Sequence, residues 1–287
     1  ENLQDEICAG LEQLDGKAKF QQDLWSREGG GGGRTRIIEN GALIEKGGVN
    51  FSAVYGELPE PVLKTLGVNG KEFFASGVSI VLHPNNVHVP IIHMNVRYFE
   101  LDDGTYWFGG GIDLTPHLIV PEKAKEFHVK LKETCDKFNP EFYPEFKVWA
   151  DNYFFNQHRN ETRGVGGIFY DKLTTEKTGL TKDELLDFSI AVGQTFVPCY
   201  AAQDGGRNNP VSDQERQWQL LRRGRYVEFN LVYDRGTKFG LQTSGRIESI
   251  LMSLPKDASW LYDYLPQTDA EKFTLEHLTK DQDWLNS

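Results

Sequence analysis

Between Arg36 and Leu114 the chain offers five strand-like runs in succession, at about 36–44, 49–54, 73–82, 89–101 and 106–114. Runs of that kind, joined by hairpins and followed by helices with no alternation of strand and helix, exclude a doubly wound parallel sheet and point to α+β. The most informative run is "HPNNVHVPIIHMNVRYF", beginning at His83, which holds three of the seven histidines. Read at period two, His93, Asn95 and Arg97 point to one side, and Met94, Val96 and Tyr98 to the other. A slip of one residue would exchange the two faces, so the pattern says which side is packed. The polar side carries an imidazole, an amide and a permanent cation, which suits a cavity wall or an exposed polar edge strand.

The remaining elements follow from periodicity and caps. Leu3, Ile7, Leu11 and Leu14 predict a helix through Trp25, and the glycines of "EGGGGGRTR" predict a loop over 28–36. That loop lacks the Lys-Ser/Thr of a phosphate-binding P-loop, although Arg34 and Arg36 leave an anion site open. Pro121 opens a second helix, and an aromatic stripe including Phe146, Trp149 and Tyr153 marks a third from about Pro144 to Arg159. Thr181 with Glu184 forms a capping box for a helix to about Gln203, and another spans about Asp213 to Arg223. "RYVEFNLVYDRGTKFGLQ" reads as a hairpin turning at Asp234 to Thr237, "ESILMSLP" as a further strand, and 269–278 as a last helix.

The chain has 287 residues, no linker-like stretch and no internal repeat, so a single domain over 1–287 is expected. A net charge of −11 argues against a general nucleic-acid binder or a binder of anionic membranes. Cys8, Cys135 and Cys199 are too few and too scattered for a disulfide framework or a zinc site. No apolar run approaches a transmembrane span, and the expected compartment is cytoplasmic unless a targeting segment belongs before Glu1.

Three groups of residues could carry chemistry. His83, His93, His128 and His158 could converge on a divalent metal, yet none has a tight ligand spacing, and hydrogen-bonded core positions account for them equally. Asp113 follows three glycines, which would let a ligand lie against the backbone or simply mark a turn. Arg163, Arg225, Arg235 and Arg246 stand beside or close to glycines, as a carboxylate-binding loop requires, so a polyanionic small molecule is favoured over a neutral one.

The segments "EKGGVNFSAVYG", "HMNVRYFE", "WFGGGIDLTPHL", "FKVWADNYFFNQHRNETRGVGGIFYD" and "LRRGRYVEFNLVYDRGTKFGLQTSGRIESILMSLP" resemble the oxygen-dependent coproporphyrinogen III oxidases, from about Gly29 to Trp284. The resemblance implies a large antiparallel sheet flanked by helices on both sides, in a homodimer with contacts near 44–53 and 220–256. It implies oxidative decarboxylation of the ring A and B propionates of coproporphyrinogen III to vinyl groups. Dioxygen is then the co-substrate, and no organic cofactor takes part. His93 matches the proton donor, and Asp113 an acidic residue facing the pyrrole N–H groups. Ser79, the Asn95-Val96-Arg97 run and the Ser244-Gly245-Arg246 run match substrate-binding positions. The four histidines match metal-ligand positions of bacterial members, whereas eukaryotic-type members are regarded as metal-free; no metal is expected here. "QTSGR" departs from bacterial members, which tend to have two glycines before the Arg. The rival readings are a tetrapyrrole-binding protein without catalysis and a metal-dependent oxidase using the four histidines.

Overall fold

The computed structural model describes residues 1–58, 70–242 and 245–286. Its centre is a seven-stranded sheet in the order β1 (Gln21–Ser26), β2 (Gly31–Glu39), β3 (Ile44–Glu57), β4 (Glu72–Pro84), β5 (Ile91–Leu101), β6 (Tyr106–Thr115) and β9 (Gly167–Leu173). Every neighbouring pair is antiparallel. The short strands β7 (Phe155–Asn156) and β8 (Glu161–Thr162) pair separately, just before the chain enters β9.

One face of the sheet is the apolar set expected from strand alternation. Val49, Val78, Ile80, Ile92, Met94, Val96 and Ile112 are buried there in one continuous core. Against them pack Leu11 of α1 (Asn2–Asp15), Phe127 and Leu131 of α2 (Pro121–Asp136), and Phe188 and Val192 of α5 (Lys182–Ala201). The α5 stretch, extended to Gly206, has the length and composition of a membrane span. The chain does hold a run of that size, then, but Leu185, Phe188, Val192 and Phe196 are fully buried in the core, which accounts for its apolarity. Helix α3 (Phe142–Tyr153) wraps the β9 edge, with Phe146 in the main core and Tyr153 stacked on Phe169 at 4.0 Å. The four-residue α4 (Thr175–Thr178) follows β9.

The second face is polar and low. Residues paired across the sheet share a face, so register makes one row of Thr35, Asn50, Ser79, Asn95 and Gly111, and another of Gly48, Val81, His93 and Asp113. Helix α6 (Asp213–Val232) covers one side of it, and α7 (Arg235–Gln242) and α8 (Ile247–Leu251) lie over the middle. Asn50 Nδ2 donates to the Ser249 carbonyl (2.9 Å), the Thr35 and Ser249 hydroxyls are 2.8 Å apart, and Lys46 Nζ donates to the Leu254 carbonyl (2.9 Å). Helix α9 (Asp269–His277) lies near the C-terminus. The α+β class and helices on both sides therefore agree with expectation.

Five local expectations do not hold in full. The first helix stops at Asp15, where Gly16 takes a left-handed C-cap (φ 77°), and 21–26 form strand β1. The expected loop shrinks to a turn over 28–30, and Gly31 to Gly33 open β2; at Gly33 a Cβ would collide with the Trp25 ring, so glycine there answers a close cross-strand packing. Helix α3 ends at Tyr153, leaving His158 in the turn between β7 and β8. The C-terminal hairpin is absent: α6 continues through "RYVEFNLV", Asp234 Oδ2 accepts from the Thr237 amide (2.7 Å) to start α7, and "ESILMSLP" begins with helix α8.

Candidate active site

Between the polar face of the sheet and helices α6 to α8 lies a cavity of about 370 Å³, within the size range of small-molecule sites. Ser79, His93, Asn95, Arg97, Gly245 and Arg246 all line it. Strand parity brings the first four together from β4 and β5, as the alternation predicts. Gly245 and Arg246 arrive from the segment before α8. Ser244 lies outside the described residues. Val96 does not join them, because its side chain turns into the core on the other face and is 6% exposed. Of the Asn95-Val96-Arg97 run, only the outer two side chains face the cavity.

At the cavity floor, His93 Nδ1 lies 2.8 Å from Asp113 Oδ1, a pairing that follows from their opposition on β5 and β6. Asp113 is 1% exposed and does not face the cavity, so it sits beneath His93 rather than among the ligand-facing groups. Arg163 grips the same carboxylate, with Nη2 donating to Oδ1 (2.7 Å) and Nε to Oδ2 (3.2 Å). Burial alone would raise the Asp113 pKa, but the Arg163 charge and the His93 hydrogen bond outweigh it and hold the carboxyl below its ordinary value. The ionised carboxylate only accepts, so His93 Nδ1 carries a proton. His93 Nε2 has no partner among the described residues and is the ring nitrogen left for a ligand.

Arg97 is held between Asn95 Oδ1 and Asp171 Oδ1, both at 2.9 Å, and keeps 37% of its side chain exposed. Arg246 pairs with Asp23 of β1 and is 30% exposed. Of the three arginines that line the cavity, Arg163 is almost wholly buried, and Arg97 and Arg246 are the two with donors to spare for an anionic ligand. Sequence reading did not single out Asn50, Asp171, Tyr226 or Asn230, and noted Arg163 only for its glycine neighbour. These residues reach the site through register, a β9 residue or helix packing, none of which leaves a local motif.

The four histidines weighed as possible metal ligands do not converge. His83 is fully buried and its Nε2 donates to the Ser253 carbonyl (2.8 Å). His128 is fully buried between the Tyr143 hydroxyl and the Val165 carbonyl, both at 2.9 Å. His158 is committed to Glu228 (2.7 Å) and Tyr233 (2.9 Å) near the surface. No group of three or more His, Cys, Asp or Glu among the described residues is placed to hold a metal ion. The donor set does not fit a metal centre.

A profile of the family described as coproporphyrinogen III oxidase matches residues 1–284. The chain is 48% identical over 288 residues to the chloroplastic oxygen-dependent coproporphyrinogen-III oxidase of Glycine max, covering 95% of this chain and 74% of that protein. It is 46% identical to the oxygen-dependent coproporphyrinogen-III oxidase of Prochlorococcus marinus (strain MIT 9301), covering 99% of this chain and 90% of that one. Coproporphyrinogen-III oxidase 1, chloroplastic, of Arabidopsis thaliana is 46% identical, with 95% of this chain and 74% of the relative covered. Matched along almost its whole length, the chain belongs to the coproporphyrinogen III oxidase family.

Proposed function

We propose that the protein catalyses the oxygen-dependent decarboxylation of two propionates of coproporphyrinogen III to vinyl groups, giving protoporphyrinogen IX for heme synthesis. The observation that carries this reading is the cavity in which His93 Nε2 stands beside Asn95 and Arg97, with Arg246 on the same wall. It occurs in a chain 46–48% identical to proteins named for that activity. The substrate carries four carboxylates, and Arg97 and Arg246 supply charge-assisted donors for two of them.

Proton balance assigns the histidine. A propionate that leaves as carbon dioxide and a vinyl group gives up one proton and two electrons. Dioxygen needs two of each to become hydrogen peroxide, so every step takes one further proton. His93 is positioned to deliver it from Nε2 as the imidazolium, after taking a proton at Nε2 from solvent, while Nδ1–H stays bound to Asp113; the ring returns to the neutral Nδ1–H tautomer once the proton has left. The electron-rich reduced tetrapyrrole supplies the electrons, so the protein's task is to bind, orient and move protons. We propose dioxygen as co-substrate and no resident cofactor or metal, supported by the separate commitments of His83, His128 and His158.

We further propose a homodimer. In support, Leu231, Val232 and Ile247 within 220–256 are 45%, 49% and 58% exposed, an apolar group suited to burial against a second copy. The other expected contact region, 44–53, lies in strand β3 and stays part of the proposed interface.

The test is protoporphyrinogen formation from coproporphyrinogen III in air, with a chelator present throughout. Turnover is expected. Activity lost to the chelator and restored by a divalent ion would overturn the metal-free reading, and no turnover under either condition would favour binding without catalysis.

A further inference from the structure

Arg163 is the most deeply buried cation at the site and the hardest to explain as a substrate grip. Its side chain is 2% exposed, against 37% for Arg97 and 30% for Arg246, so it offers almost no surface to a carboxylate. A buried cation is costly unless its partners are well placed, and every part of this one is fixed. Two of its nitrogens bond Asp113, and Nη1 donates to Asn230 Oδ1 of α6 (2.8 Å). The guanidinium carbon lies 4.4, 4.7 and 4.9 Å from the ring centres of Phe154, Phe229 and Tyr226. The backbone is pinned as well: the Arg163 amide donates to the Phe154 carbonyl (2.7 Å), and the Thr115 hydroxyl donates to the Arg163 carbonyl (2.5 Å).

We infer that Arg163 is a positioning residue, which clamps Asp113 so that His93 keeps a proton on Nδ1 and turns Nε2 into the cavity. The assignment rests on the proposed role of His93 and adds the group that sets its tautomer. Asp113 Oδ1 serves His93 and Arg163 at once, while Arg163 Nε holds the other oxygen. The carboxylate therefore cannot rotate away from the imidazole without breaking the fork. Lysine at this position could supply the charge but not the two parallel donors, so charge and geometry can be separated. A pure structural ion pair between β6 and the loop before β9 needs neither the shared oxygen nor a fixed His93 tautomer.

The experiment combines ¹⁵N spectra of histidine-labelled protein, with His93 assigned by its loss in His93→Gln, and kinetics with coproporphyrinogen III. In the native chain His93 is expected as the Nδ1–H tautomer. In Arg163→Met the carboxylate loses its clamp; a mixture of tautomers is expected, with kcat down about 100-fold and KM within threefold. Added guanidinium is expected to restore part of kcat, and Arg163→Lys to fall between the two. A raised KM at unchanged kcat would make Arg163 a substrate grip, and a lowered kcat with the native tautomer intact would make it structural; either overturns the inference. If Arg163→Met does not fold, Asn230→Ala loosens the same guanidinium without stranding Asp113: a shifted tautomer supports the clamp, an unshifted one overturns it. The tautomer is read without substrate, so a failure of the proposed oxidase reaction shows separately, as absent turnover by the native chain.

Discussion

Arg97 and Arg246 border the same cavity from different elements, one on a central strand and one from the segment leading into α8. Each already has a carboxylate partner, Asp171 or Asp23, which neutralises it when no substrate is bound. A hydrogen bond to a charged group is worth about 1.5–3 kcal/mol, so Arg97→Ala and Arg246→Ala are each expected to raise KM roughly 10- to 100-fold. Their kcat should change much less, since the contact is with a carboxylate held alike before and during reaction. Asp113→Ala acts through His93 and is expected to lower kcat with KM nearly unchanged; full kcat in that variant would remove Asp113 from the mechanism. The first of these groups was legible in the sequence, because alternation along one strand sets the face of His93, Asn95 and Arg97. Arg163 and Asn230 were not, because they stand 50 and 117 residues beyond Asp113 and reach it only through tertiary packing.

Elements were legible where one signal prevailed. The Thr181 capping box is formed as read: the Glu184 amide donates to the Thr181 hydroxyl (3.2 Å), and the Glu184 side chain accepts from the Thr181 amide (2.7 Å). Thr181→Ala is therefore expected to cost about 1 kcal/mol, measured as a lower urea midpoint with activity retained. The segment 226–232 carried two signals. Its Tyr, Val, Phe and Leu have strand propensity and alternate with Glu228 and Asn230, yet Tyr226, Phe229 and Asn230 also recur at helical spacing. Burial decides for the helix, since those three are at most 3% exposed while Leu231 and Val232 face outward. The glycine run was opaque for another reason: nothing local announces that Trp25 crosses Gly33, so a strand read as a loop.

At the scale of the whole molecule, the fold treats its imidazoles in two ways, and pH exposes the difference. His93 retains a face on the cavity, whereas His83, His117 and His128 are at most 1% exposed. Burial is the main cause that pushes His83 down to about 3, His128 to about 4 and His117 well below its usual value, so all three are neutral in the folded chain. In the unfolded chain each titrates near 6.5. The unfolded state therefore binds more protons between pH 6.5 and about 4, and stability, full above 6.5, is lost as pH falls through that window. At pH 5 the loss is about 2 kcal/mol each for His83 and His128, a large share of an ordinary domain's stability. The depressed carboxyls of Asp15 and Asp113 add to it only near and below the usual carboxylate range, and the Asp151 carboxyl, which burial raises, works the other way, so the loss between pH 7 and 5 comes from the histidines. Urea unfolding across that span should show a steeply falling midpoint, and His128→Gln should flatten the slope by one proton's share. A midpoint that stays level from pH 7 to 5 would mean that these imidazoles accept protons in the folded state, against the burial that disfavours their charged form.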